Sequence, residues 1–124
     1  MWIKCNPNPL DRQTGDCVVR AISIVTGHSW RETYRVLCKL GEIECDLPNS
    51  NFIWGTYLKK RGAKQYLLPD NCPNCFTVKA FCERYPEGSY VVGTGTHAVA
   101  VIDGDYYDTF DSGDAIVSFY WKIN

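Results

Sequence analysis

Halfway along the chain the apolar residues change their period. From Asp16 to about Arg61 they recur at helical spacing, and from about Ser89 onward they alternate or run together as strands do. Helices first and an antiparallel sheet afterwards is an α+β layout. No repeat, low-complexity tract or linker divides the two halves, so the 124 residues read as a single domain, 1–124. With 45% hydrophobic and 14% aromatic residues there is enough apolar surface for a packed core, which argues against intrinsic disorder.

The elements follow from local signals. Cys5 to Gly15 is a loop, because its prolines and turn formers forbid a regular ladder. Asp16 to Gly27 is apolar around most of a helical wheel and reads as a buried helix, with Thr14 or Asp16 near its N-cap and Gly27 as its stop. Ser29 followed by Glu32 is a capping box that opens a second helix, Trp30 to about Leu40, which Gly41 would end. Asn51 would cap a third, Phe52 to Arg61, stopped by Gly62, and Thr77 to Tyr85 is a fourth. Lys64 to Leu68 is a short strand. Ser89–Val92, His97–Ile102, Tyr106–Phe110 and Ala115–Lys122 supply the sheet, with Asp103 and Gly104 as a hairpin turn. His97–Ile102 is almost wholly apolar and is expected at the centre.

Charge and length exclude some functions. Thirteen Lys+Arg against fourteen Asp+Glu leave no basic footprint for a polyanion, so nucleic acid is not an expected partner. No stretch approaches the roughly 18 apolar residues of a membrane span, so no membrane is expected either. The start has no h-region or cleavage pattern, and a cytoplasmic protein is the expectation. Lys59, Lys60 and Arg61 fall at a helix C-terminus, where cations oppose the dipole favourably without any anionic partner. Trp30, Tyr34, Trp54 and Tyr57 recur at helical spacing and read as packing.

Seven cysteines remain to be explained. The number is odd and no export signal accompanies it, so a disulfide framework is not required, and in a reducing compartment such thiols stay free, bind metal or do chemistry. Cys72 and Cys75 have the C-x2-C spacing of zinc ligands, but no second such pair completes a four-ligand site. Neither metal nor cofactor is expected. Cys38 and Cys82 fall on apolar helix faces.

Cys17 is different. It lies in the first turn of the buried helix, where unpaired N–H groups and the helix dipole favour a thiolate. A partner imidazole must come from His28 or His97, the chain's two histidines. His28 lies at the far end of the same helix, roughly 15 Å away by helix rise. His97 begins the most apolar strand, and the hairpin returns a carboxylate cluster, Asp108, Asp111 and Asp114, beside it. A carboxylate there can accept from the imidazole, fix its tautomer and stabilise its cation.

Gly15-Asp16-Cys17 opening an apolar helix, His97 to Gly104, and Tyr107 to Ser112 together resemble the papain-like cysteine peptidase fold. The likeness is to its small branch, the bacteriocin-leader peptidases and the Josephin-type deubiquitinases. The resemblance implies N-terminal helices, the central one headed by Cys17, packed on a C-terminal antiparallel sheet. It implies Cys17 as nucleophile and His97 as general base and later acid. Asp111, fourteen residues after His97 and near the family's separation, would be the orienting acid, with Asp108 as the alternative. Gln13 would donate to the oxyanion, although it stands closer to the nucleophile than is usual, and Asn8 or the Asp16 backbone could serve instead. The implied activity is acyl transfer on a peptide or protein substrate: a small cysteine peptidase cleaving a peptide or isopeptide bond. The alternatives are a thiol acyl-transferase and a non-catalytic module of the same fold, as a bacterial or phage element would turn on a host protein. A zinc-stabilised interaction domain on Cys72 and Cys75 ranks below these.

Overall fold

The computed structural model describes residues 1–69 and 75–123. Among them are helices α1 (Cys17–Thr26), α2 (Trp30–Glu44), α3 (Asn51–Lys60) and α4 (Val78–Arg84). The strands are β1 (Trp2–Lys4), β2 (Lys64–Leu67), β3 (Ser89–Thr94), β4 (His97–Ile102), β5 (Asp105–Asp108) and β6 (Val117–Lys122). They form one sheet in the order β1-β5-β4-β3-β6-β2, antiparallel throughout except where β1 runs parallel to β5. The α+β class expected from the change of period is what the chain adopts, with β4 well inside the sheet.

Alternation along the strands divides the core in two. Val91, Ala98, Ala100 and Trp121 face Ile22, Leu37, Trp54 and Leu58 of the first three helices. Tyr90, Val92, Val99, Val101 and Tyr120 face the other way, onto Val78 and Phe81 of α4. Both faces of β4 are therefore covered, which is why its sequence is apolar without interruption. Ala98 and Ala100 are small, and α1 makes its most extensive contact with β4 over them. Close approach of this helix to this strand brings the head of α1 to the start of β4. The site lies there.

Several boundaries differ from the sequence reading, each for a physical reason. Gly41 does not end α2, which continues to Glu44 and is capped by Cys45 in the left-handed region. Gly41 is needed for closeness instead: a Cβ there would lie 2.6 Å from the Asp46 carbonyl oxygen. Ser50, not Asn51, caps α3, its hydroxyl accepting from the Ile53 N–H, while Asn51 accepts from Trp54 Nε1 at 3.0 Å. Asp16 occupies the N-cap of α1, yet its side chain makes no capping bond. The return strand stops at Asp108, earlier than expected, and β1 is an addition that short-range patterning does not disclose. The capping box of Ser29 and Glu32 and the turn at Asp103 and Gly104, both at positive φ, are as read. No helix among the described residues is long and apolar enough to cross a membrane.

Candidate active site

Cys17 is the first residue of α1 and His97 the first of β4. Their side chains line the same cleft, close enough for each to shift the titration of the other, and the Ala98 backbone N–H acts on the Cys17 sulfur as well. His97 Nε2 lies 2.6 Å from Asp108 Oδ2, which leaves Nδ1 for the sulfur. Asp108 accepts in addition from the Ser112 hydroxyl at 2.7 Å and from the Thr109 N–H at 2.8 Å. Its backbone carbonyl receives the Cys5 N–H at 3.0 Å and Trp2 Nε1 at 3.1 Å, so the added strand β1 pins Asp108 from the outer side.

Asp108, and not Asp111, is thus the carboxylate on His97. The reason is where the strand ends. β5 ends at Asp108, one residue beyond the pairing of Ala100 with Tyr107, and so close to the start of β4 where His97 stands. The chain then leaves the ladder, and Asp111 falls beyond it, accepting from the Tyr106 hydroxyl and from the Gly113 N–H.

The electrostatics move the thiol and the imidazole toward one another. Burial pushes the Cys17 thiol up, but the hydrogen bonds from His97 and Ala98 and the positive charges of His97 and Arg20 outweigh it, and the net shift is downward. His97 is pushed up to about 9, chiefly by its hydrogen bond to Asp108 and then by the one to Cys17, against the effect of burial. Burial also raises Asp108, and the bonds from His97 and Ser112 overcome that and hold it below its ordinary value. The thiols of Cys5 and Cys82 move the other way, raised by burial, Cys82 to about 11.

The pair opens on a cleft of about 220 Å³. Gly15, Val18, Ala98 and Phe119 contribute small or apolar surface, and Asn49, Asn51, Thr94 and Thr96 contribute neutral polar groups. Gln13 is exposed and is not among the residues lining this cleft, so the structure does not bring it to the sulfur. Cys17 is the first residue of α1, whose first-turn N–H groups are unpaired within the helix. Asn8 is buried but turned to Asp16, at 3.4 Å, and so is occupied elsewhere.

Two features escape the sequence reading. Phe110 lies with its ring centroid 5.1 Å from that of His97 while remaining 53% exposed, so it shields one side of the imidazole from water. Arg20 is buried within α1 and paired with both Asp16 and Asp108. A signal for the second was present: an arginine in a helix apolar on most sides must find a carboxylate, and Asp16 stands four residues before it.

The lower-ranked zinc alternative on Cys72 and Cys75 gains no site among the described residues. Cys75 is disulfide-bonded, so its sulfur is not a thiolate donor, and Cys72 lies outside the described residues. Among the described residues no group of three or more His, Cys, Asp or Glu side chains is arranged to hold a metal. Comparison with protein-family profiles, with curated proteins and with solved structures finds no match to this chain.

Proposed function

We propose that this chain is a small cysteine peptidase of papain-like architecture, with Cys17 as nucleophile, His97 as general base and acid, and Asp108 as the orienting carboxylate. One observation carries the reading: a helix-head thiol and a carboxylate-backed imidazole meet at the edge of a cleft, with the thiol shifted down and the imidazole up. A structural cysteine in a core would be raised, as Cys82 is.

The chemistry follows from these roles. The Cys17 thiolate attacks the carbonyl carbon of a peptide or isopeptide bond, forming the C–S bond and sending the π electrons to oxygen. The oxyanion rests on N–H groups at the head of α1. As the carbonyl re-forms, the C–N bond breaks, and the His97 imidazolium gives its proton to the departing amine. Neutral His97 then takes a proton from water, whose oxygen attacks the thioester, and the acid leaves as the thiolate is restored. Asp108 keeps Nε2 of the imidazole paired throughout, so that Nδ1 stays aimed at sulfur.

Alkylation by iodoacetamide at near-neutral pH, resolved by peptide mass spectrometry, tests the pair. Cys17 is expected to react well ahead of Cys5, Cys38, Cys45 and Cys82, and His97→Ala to bring it down to their rate. Equal rates at all five, unchanged by His97→Ala, would sink the reading. Turnover is read separately, as new N-termini released from a diverse peptide mixture and abolished by Cys17→Ala.

A further inference from the structure

Arg20 has a forked side chain with both arms engaged. Nη1 donates to Asp16 Oδ1, and Nη2 donates to Asp108 Oδ1 at 3.4 Å. Asp108 meets His97 through its other oxygen. Asp16 is itself held on Oδ2, by Trp30 Nε1 at 2.9 Å and by Asn8 Nδ2 at 3.4 Å, which leaves Oδ1 for the arginine. Asn8, Asp16, Arg20 and Asp108 are all buried. A continuous chain of hydrogen bonds therefore runs from the N-terminal loop and α2, through α1, to the imidazole.

We infer that Arg20 is a positioning residue: by bridging Asp16 to Asp108 it fixes the carboxylate that aims His97 at Cys17. This rests on the acyl-transfer reading of Cys17 and His97 and deepens it. A planar guanidinium can hold two carboxylates at a fixed separation and angle, which an ammonium cannot. Desolvation makes the bridge all-or-none, because a buried charge with one arm unpaired is costly. It also explains why the N-cap residue of α1 makes no capping bond: the Asp16 carboxylate is turned inward to the arginine. The charged groups around the imidazole are Asp108 from β5 and Cys17 from α1, with Arg20 and Asp16 behind them, while β3 presents the neutral Thr94.

Charge alone and positioning predict different outcomes, so a titration separates them. The His97 imidazole is followed by NMR against pH, assigned with His97→Ala, and Cys17 alkylation is followed in parallel. Arg20→Lys keeps the charge and loses the fork. If Arg20 acted only through its charge, this variant would leave His97 where it is, and Arg20→Gln would raise it further by removing a cation. Positioning predicts that both variants lower the His97 titration toward its ordinary value, as Asp108 is released. Cys17 alkylation at neutral pH then slows, by about tenfold for each unit that the thiol rises.

Circular dichroism checks that each variant is folded. Should the Arg20 variants not fold, Asp16→Asn decides the same question, since its amide can still accept from Trp30 and Asn8 while turning a donor toward Arg20. Loss of a nearby negative charge alone would speed Cys17 alkylation; loss of positioning slows it. Fast wild-type Cys17 with no change in either readout on Arg20→Lys overturns this inference and leaves the catalytic pair intact. A wild-type Cys17 no faster than the other thiols overturns the pair itself.

Discussion

Asp108 and Asp111 stand three residues apart, and the folded chain gives them unlike partners. Asp108 is buried, touches His97, Ser112 and Arg20, and has no freedom left. Asp111 is exposed and anchors the Tyr106 hydroxyl and the following turn. The sequence discloses Cys17, His97 and the carboxylate cluster, because a thiol at a helix head and an imidazole at a strand start are local features. It does not disclose which carboxylate meets the imidazole, since that depends on the residue at which β5 leaves the ladder. Two substitutions of equal size separate the two acids. Asp108→Asn removes the largest contribution holding His97 up, so the imidazolium is lost at neutral pH and Cys17 loses its counter-charge. Cys17 alkylation near pH 7 is expected to fall by about tenfold or more, on the scale of one pK unit per factor of ten. Asp111→Asn should leave that rate within about twofold of wild type. Equal losses from both variants would mean that Asp111 acts on the pair as Asp108 does.

At the level of elements, helix starts are more legible than helix ends. Ser29 with Glu32 identifies the start of α2 because capping is chemistry between neighbours. Gly41 misleads as a stop because a glycine in sequence does not say whether it supplies a left-handed turn or a close approach. Here it supplies the approach: the backbone at Asp46 returns across the helix, with its carbonyl where a Cβ would be. The same limit hides β1, whose pairing with β5 spans almost the whole chain. Gly41→Ala tests the distinction. Within a helix the exchange should stabilise by about 1 kcal/mol. A Cβ 2.6 Å from a backbone oxygen reverses the sign, and overpacking of this kind costs about 1–3 kcal/mol. A lowered urea midpoint with unchanged slope is the expected result, and a raised midpoint would show that the 46–48 segment gives way freely.

For the whole molecule, the coupled pair has a consequence for stability against pH. His97 is raised in the folded state, so it stabilises fully below its ordinary 6.5 and loses that contribution as pH rises toward about 9. Cys17 is lowered, so its contribution is full above its ordinary 9.0 and is lost as pH falls through the folded value. Above both 6.5 and the lowered Cys17 value, and up to about 9, the folded pair holds one proton, on His97, and the unfolded chain also holds one, on the thiol. The two slopes cancel, and the pair contributes no pH dependence there. Elsewhere the curve bends for other reasons. Asp108, Asp111 and Glu32 are lowered and withdraw stability in acid, whereas Cys5, Cys82, Tyr90, Tyr106 and Tyr120 are raised and withdraw it in alkali. Cys17→Ala removes one half of the cancellation. Asp108 still holds His97 up, so the variant should go on losing stability through the window in which the wild type's two slopes cancel. Urea midpoints at intervals from about pH 6 to about pH 9 read this directly, as a gap between the two curves that widens with pH. Parallel curves would mean that Cys17 and His97 exchange no proton, and the pair would then be two buried side chains that happen to touch.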